Sequence, residues 1–137
     1  MNKTIAIDFD GVIHKYSKGW FDGSCYDEPI DGAFEWITKL IDSGLAVFIL
    51  TTRDINQVRN WLIDHNFQRP TMLIKEMGFF NQTNILGITN LKLPAIYYVD
   101  DRALPFTKMT RWETLGKFIL SSAHGHICKC DACCAKI

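Results

Sequence analysis

Two aspartates, Asp8 and Asp10, close the apolar run "IAIDFD" and are followed at once by Gly11. Residues i and i+2 of a strand point to one face, so a strand that persists to residue 10 leans both carboxylates into one place. Two more apolar runs end in polar groups further along: "VFIL" leads into Thr51-Thr52, and "AIYYV" leads into Asp100-Asp101. Clustered carboxylates repel one another unless a cation neutralises them, and a hard divalent ion with oxygen ligands does this. Mg²⁺ suits a small carboxylate set, because it keeps water and phosphate oxygens in its shell. In such a site one aspartate can attack phosphorus, while its neighbour protonates the leaving group and then activates water. Gly11 gives the backbone freedom to turn sharply away from the pair. Each of these endings is ordinary on its own, since Asp and Thr are common turn and capping residues. Their joint occurrence, in order and each at the end of an apolar run, points to catalysis.

The elements that must position these residues alternate between apolar runs and helical periodicity, the rhythm of an α/β domain with a parallel sheet. Residues 4–9 read as the first strand. Asp31 is placed to cap a helix whose apolar face carries Phe34, Ile37, Leu40 and Ile41, with Gly44 at its end. "LAVFIL" (45–50) has the continuous apolar pattern of a strand buried on both faces. Asp54 caps the next helix, which turns Val58, Trp61 and Leu62 inward and stops before Pro70. "TMLI" (71–74) is a short third strand, "ILGIT" (85–89) is a candidate strand within a segment of unclear period, and 95–99 is a further strand. A last helix covers Arg111 to Leu120. The expected architecture is a single Rossmann-like, doubly wound domain over residues 1–123 with a mostly parallel central sheet. Ligands of such sheets bind beyond the carboxyl ends of the strands, where all three polar endings fall.

Composition sets the class. The chain has 137 residues, 47% of them apolar, enough for one domain with a sizeable core. Fifteen basic residues balance fifteen acidic ones with no basic run. Generic nucleic-acid or membrane-surface binding is therefore not expected. The start of the sequence fits neither a signal peptide nor a spanning helix, which predicts a cytoplasmic protein. Five cysteines, four of them in the last ten residues, do not form a disulfide framework.

"DFDGVIH", "VFILTTRD" and "KLPAIYYVDDRA" together resemble the haloacid dehalogenase superfamily, in its group of small, capless, phage- and bacteria-type members. The resemblance covers residues 4 to about 107 and is specific for the superfamily, not for a substrate. It implies an Asp8 nucleophile that forms an aspartyl-phosphate, and an Asp10 general acid/base. It also implies Mg²⁺ held by Asp8, the backbone carbonyl of Asp10, and Asp100 or Asp101, with Thr51 as a phosphate-binding hydroxyl. For the family's phosphate-holding lysine there are two candidates. Lys92 lies in "NLKLPAIYYVDDRA", which resembles the deoxyribonucleotidase branch, but it reaches the site only if the segment before Ala95 folds back, since a five-residue strand rises about 16 Å. Lys75, directly after the third strand, is the rival.

The implied activity is a Mg²⁺-dependent phosphomonoesterase acting on a small phosphorylated substrate or nucleotide. Two readings from other classes use the same residues. One is a catalytically silent binding or regulatory module, against which the intact Asp8 and Asp10 argue. The other is a receiver-type signalling domain, in which an acidic pair comes early and a lone phosphorylatable Asp follows, whereas here the D-x-D comes first and the acidic pair last. Within the enzyme class a dehalogenase lacks support, and a nucleotidase or polynucleotide 3′-phosphatase fits better.

Residues 14–29 are too few for a cap domain and predict a flap, whose Lys15, Lys18 and Trp20 either meet a leaving group or sit in a solvated hairpin. Arg53 and Arg102 either steady a phosphate or pair with Asp54 and Asp101. The tail over 124–137 gathers Cys128, Cys130, Cys133 and Cys134 with His124 and His126, soft ligands suited to zinc or copper(I), though without the usual paired spacing.

Overall fold

Apolar runs of three to five residues form the strands, and the amphipathic stretches between them form the helices. The computed structural model describes residues 3–100 and 111–124. In chain order the elements are β1 (Thr4–Asp8), α1 (Ala33–Asp42), β2 (Ala46–Leu50), α2 (Ile55–Asp64), β3 (Thr71–Ile74), β4 (Leu86–Thr89), β5 (Tyr97–Val99) and α3 (Trp112–Ala123). The five strands form one sheet in the order β3-β4-β2-β1-β5, and every neighbouring pair is parallel. β1, β2 and β4 are buried along almost their whole length, as their continuous apolar sequences require.

The winding explains which layer covers which face. From β1 to β2 and on to β3 the chain steps in one direction, and connections of one hand then place α1 and α2 on the same face. Ile37, Leu40, Val58 and Leu62 accordingly join one core with Ile5, Ile7, Val47, Ile49 and Ile88, and α3 adds Leu115 and Ile119 to it. From β3 to β4 and from β4 to β5 the chain steps back, so the same handedness sends both connections over the opposite face. Neither of these connections contains a helix. Phe80 and Leu93 cover Ala6, Ala46 and Phe48 there instead. The topology thus winds both ways, but among the described residues all three helices lie on one face. No described helix is long and apolar enough to cross a membrane.

The helix ends show where local sequence decides. Asp54 accepts hydrogen bonds from the Asn56 and Gln57 amides at 2.8 and 3.1 Å, capping α2 as its sequence predicts. Gly44, at φ +96°, closes α1 in a Schellman arrangement, in which its N–H reaches the Ile41 carbonyl and the Leu45 N–H reaches that of Leu40. The expected cap at Asp31 is not made. Gly32 precedes α1 instead, at φ +84° and with no side-chain cap, because the chain enters the helix through a left-handed turn.

α1 and α3 approach closely at Gly116, where a β-carbon would stand 2.3 Å from Trp36 Cε3. Replacing an exposed mid-helix glycine with alanine normally stabilises by about 1 kcal/mol. Gly116→Ala is expected to do the reverse and lower the unfolding free energy by about 1–3 kcal/mol, because the indole must move. Urea denaturation checks the sign, and a stabilised variant would contradict this packing.

Candidate functional site

Strand register brings the polar endings to one level. Asp8 pairs with Leu50, Leu50 pairs with Thr89, and Ile7 pairs with Val99, so Asp8, Thr51, Asn90 and Asp100 emerge side by side from β1, β2, β4 and β5. The chain leaving β2 runs to the helical face and the chain leaving β4 runs to the other, so their ends part and open a crevice. A cavity of about 390 Å³ lies there, lined by Asp8, Asp10, Thr51, Thr52, Asn90, Lys92 and Asp100 among others. A larger cavity, about 670 Å³, lies between the starts of α1 and α3, but its charges are mixed and include the paired Lys39 and Glu35.

After Asp8 the chain turns tightly, with the Ile13 and His14 amides both donating to the Phe9 carbonyl and Gly11 at φ +79°. The Phe9 amide donates to Asp8 Oδ1 at 2.8 Å, which fixes the rotation of that carboxylate. Asp10 is held from two sides. Arg53 Nε donates to both of its oxygens at 2.8 and 3.0 Å, and His14 Nδ1 meets Oδ1 at 2.9 Å. The Asp27 amide donates to His14 Nε2 at 3.0 Å, so a neutral ring carries its proton on Nδ1 and donates it to Asp10. Neither the His14 nor the Arg53 side chain is exposed to water.

Residues 15–28 fold over this arrangement as a flap. Arg53 Nη1 donates to the Ser24 carbonyl at 2.8 Å, and its guanidinium carbon lies 4.6 Å from the Trp20 ring centre and 5.4 Å from that of Tyr16. Trp61 Nε1 donates to the Asp27 carbonyl at 2.7 Å. The Ser17 hydroxyl and amide hold the Asp27 carboxyl down at about 2. Lys18 lies over Phe21 and Tyr26, and Lys15 pairs with Glu28 at 3.9 Å. Trp20 therefore covers Arg53, and neither lysine lines the cavity. The two outcomes expected for Arg53 give way to a third, since Asp54 caps α2 and Arg53 pairs with Asp10.

Thr51 is buried, and its Oγ1 accepts from the Arg53 amide at 3.1 Å, leaving its O–H to donate. Asn90 Nδ2 donates to the Thr51 and Arg53 carbonyls at 2.7 and 2.8 Å and braces that loop. Lys92 lines the cavity with its ammonium 5.1 Å from the Tyr98 ring centre. Its reach is explained by β4, because Lys92 follows the carboxyl end of that strand, and the chain returns to β5 only afterwards. Lys75 follows β3, three inter-strand spacings or about 14 Å from β1, and is not among the lining residues.

The donor chemistry suits a hard cation. Asp8 and Asp100 present carboxylates to one cavity, and Mg²⁺ needs only one or two beside water and phosphate oxygens. Asp10 lines the same cavity with its carboxylate held by Arg53 and His14, contacts that leave lone pairs on both oxygens. Among the described residues no group of three or more His, Cys, Asp or Glu is disposed to hold a metal. Asp101, Arg102, His126 and the four tail cysteines lie outside the described residues, and His124 Nε2 meets Ser43 Oγ at 3.1 Å. Burial pushes the Cys25 thiol up to about 11, which disfavours its thiolate near neutral pH.

His14 and Asn90 are contributors to which the motifs gave no role, and Arg53 is one to which they gave other partners. His14 had a visible signal in its spacing of four from Asp10. Compared with protein-family models, with curated proteins and with solved structures, the chain matches none.

Arg53→Met should lower the unfolding free energy by about 1–3 kcal/mol, because it leaves the part-buried Asp10 carboxylate with His14 but without its cationic partner. Urea denaturation at neutral pH measures this, and a loss below about 0.5 kcal/mol, the size of an exposed pair, would contradict an ion pair with a buried guanidinium.

Proposed function

We propose that this chain is a Mg²⁺-dependent phosphomonoester hydrolase of the capless haloacid dehalogenase type, working through an aspartyl-phosphate on Asp8. The observation that carries the reading is the convergence of Asp8, Asp10, Thr51, Lys92 and Asp100, from the ends of four parallel strands, on one cavity. Asp8 attacks phosphorus, and the ester oxygen departs with a proton from Asp10. Asp10 then takes a proton from the water that attacks the phosphorylated Asp8, and inorganic phosphate leaves with Asp8 restored. The Thr51 hydroxyl donates to the phosphoryl oxygens, and the Lys92 ammonium opposes the charge that develops on them.

Asp8, Asp100 and the Asp10 carbonyl would hold Mg²⁺, with Asp101 as the further candidate, and the ion supplies the positive charge that lets a phosphate approach a carboxylate. The cavity opens onto the sheet face covered by Phe80 and Leu93, and the β1–α1 connection folds as a short flap. That openness admits a small phosphorylated metabolite, a nucleotide or a terminal phosphate on a polynucleotide alike.

Hydrolysis of a generic aryl phosphate is expected to require Mg²⁺ and to stop with EDTA. Asp8→Asn should lose at least about a thousandfold in kcat while remaining folded. Lys92→Ala should lose about a hundredfold, and Lys75→Ala less than about threefold. Turnover retained by Asp8→Asn would refute the mechanism, and a larger loss in Lys75→Ala would transfer the phosphate contact to that residue.

A further inference from the structure

Among the described residues, His14 and Arg53 hydrogen-bond to the Asp10 carboxylate, and each also holds the flap. His14 donates from Nδ1 to Asp10 Oδ1 and accepts the Asp27 amide at Nε2. Arg53 donates from Nε to Asp10 and from Nη1 to the Ser24 carbonyl, beneath Trp20 and Tyr16. We propose that His14 and Arg53 are positioning residues that fasten the flap, residues 15–28, to the Asp10 carboxylate, so that one clamp aims the acid/base and closes its flank. The proposal rests on reading Asp10 as the acid/base of phosphoryl transfer.

The physical reason lies in burial. The Arg53 side chain has no exposure, and its Nη2 is buried without a hydrogen-bond partner among the described residues. With Asp10 in place, the guanidinium has a counter-charge and tolerates the aromatic cover that the flap lays over it. With that carboxylate removed, a dry cation would remain under Trp20 and Tyr16, and the flap must lift to hydrate it. The neutral His14 ring works in the same sense, because the proton it gives Asp10 is fixed on Nδ1 by the flap amide bound at Nε2. The bond from Trp61 to the Asp27 carbonyl is independent of Asp10, so the flap stays tethered at that point when the clamp is released.

The first arm of the test does not depend on turnover. Backbone hydrogen exchange is followed in the wild-type chain, in Asp10→Asn, which keeps one acceptor oxygen, and in Asp10→Leu, which keeps none. The Asp27 amide should exchange at least about tenfold faster in Asp10→Leu, with Asp10→Asn in between, while the Val58 amide of α2 is unchanged. Equal protection of the Asp27 amide in all three chains would overturn the fastening.

The second arm uses two replacements of His14. The side-chain nitrogen of asparagine stands at the same remove from Cβ as Nδ1, whereas the polar atoms of glutamine stand where Nε2 does. His14→Gln should lower kcat about tenfold or more at unchanged KM, and His14→Asn should recover most of that loss. Equal losses in the two variants would mark His14 as merely structural and overturn its positioning role. A wild-type chain that hydrolyses no phosphomonoester would refute the proposed activity, and the exchange arm would still decide whether the clamp exists.

Discussion

A guanidinium withdrawn from water demands a counter-charge close by, since breaking such a pair leaves an uncompensated charge in a medium that solvates it poorly. Arg53 meets that demand with Asp10, and much of the local architecture follows from the pairing. The loop after β2 is drawn toward the turn after β1, and Asn90 from the end of β4 bonds to two carbonyls of that loop. The flap then lies over the arginine instead of extending into solvent. Asp10 is thereby held by Arg53 at the edge of the cavity, which Asp8 and Asp100 also line. A crowd of three like charges becomes a site with distinct roles for its members.

The parallel sheet supplies the rest. Parallel strands present all their carboxyl ends at one edge, and the register here levels Asp8 with Leu50 and Thr89, so residues from distant parts of the sequence emerge together. The reversal of winding after β3 matters as much, because it sends the chain from β4 across the face opposite the helices and leaves Lys92 at the cavity on the way. Leu93 then anchors this crossing on Ala6, Ala46 and Phe48. Covering one face with loops keeps that side of the crevice low, while the three helices supply the larger core on the other.

Much of this was legible in the sequence, for identifiable reasons. The buried strands betray themselves as unbroken apolar runs, and α2 by a capping aspartate with its apolar face and a proline beyond. The order of the strands was not legible. Nothing local to "LGIT" indicates that β4 inserts between β2 and β3, and that insertion is what carries Lys75 away and brings Lys92 near. Asp31 looked like a helix cap because its type is right, yet the chain's direction required a left-handed residue, which Gly32 provides. Arg53 beside Asp54 invites a local ion pair; the actual partner lies 43 positions away, a choice that only tertiary burial makes. His14 sits four residues from Asp10 in plain view, but its role depends on an amide from the flap.

In the proposed mechanism Asp8 is the nucleophile that accepts the phosphoryl group, and chemical trapping addresses that directly. The purified chain would be turned over on a phosphomonoester with Mg²⁺, quenched in acid, reduced with borohydride and mapped by peptide mass spectrometry. An acyl phosphate reduces to the alcohol, so homoserine is expected in place of aspartate at position 8 and at no other carboxylate. Homoserine at another position, or steady turnover that leaves position 8 unreduced, would contradict it.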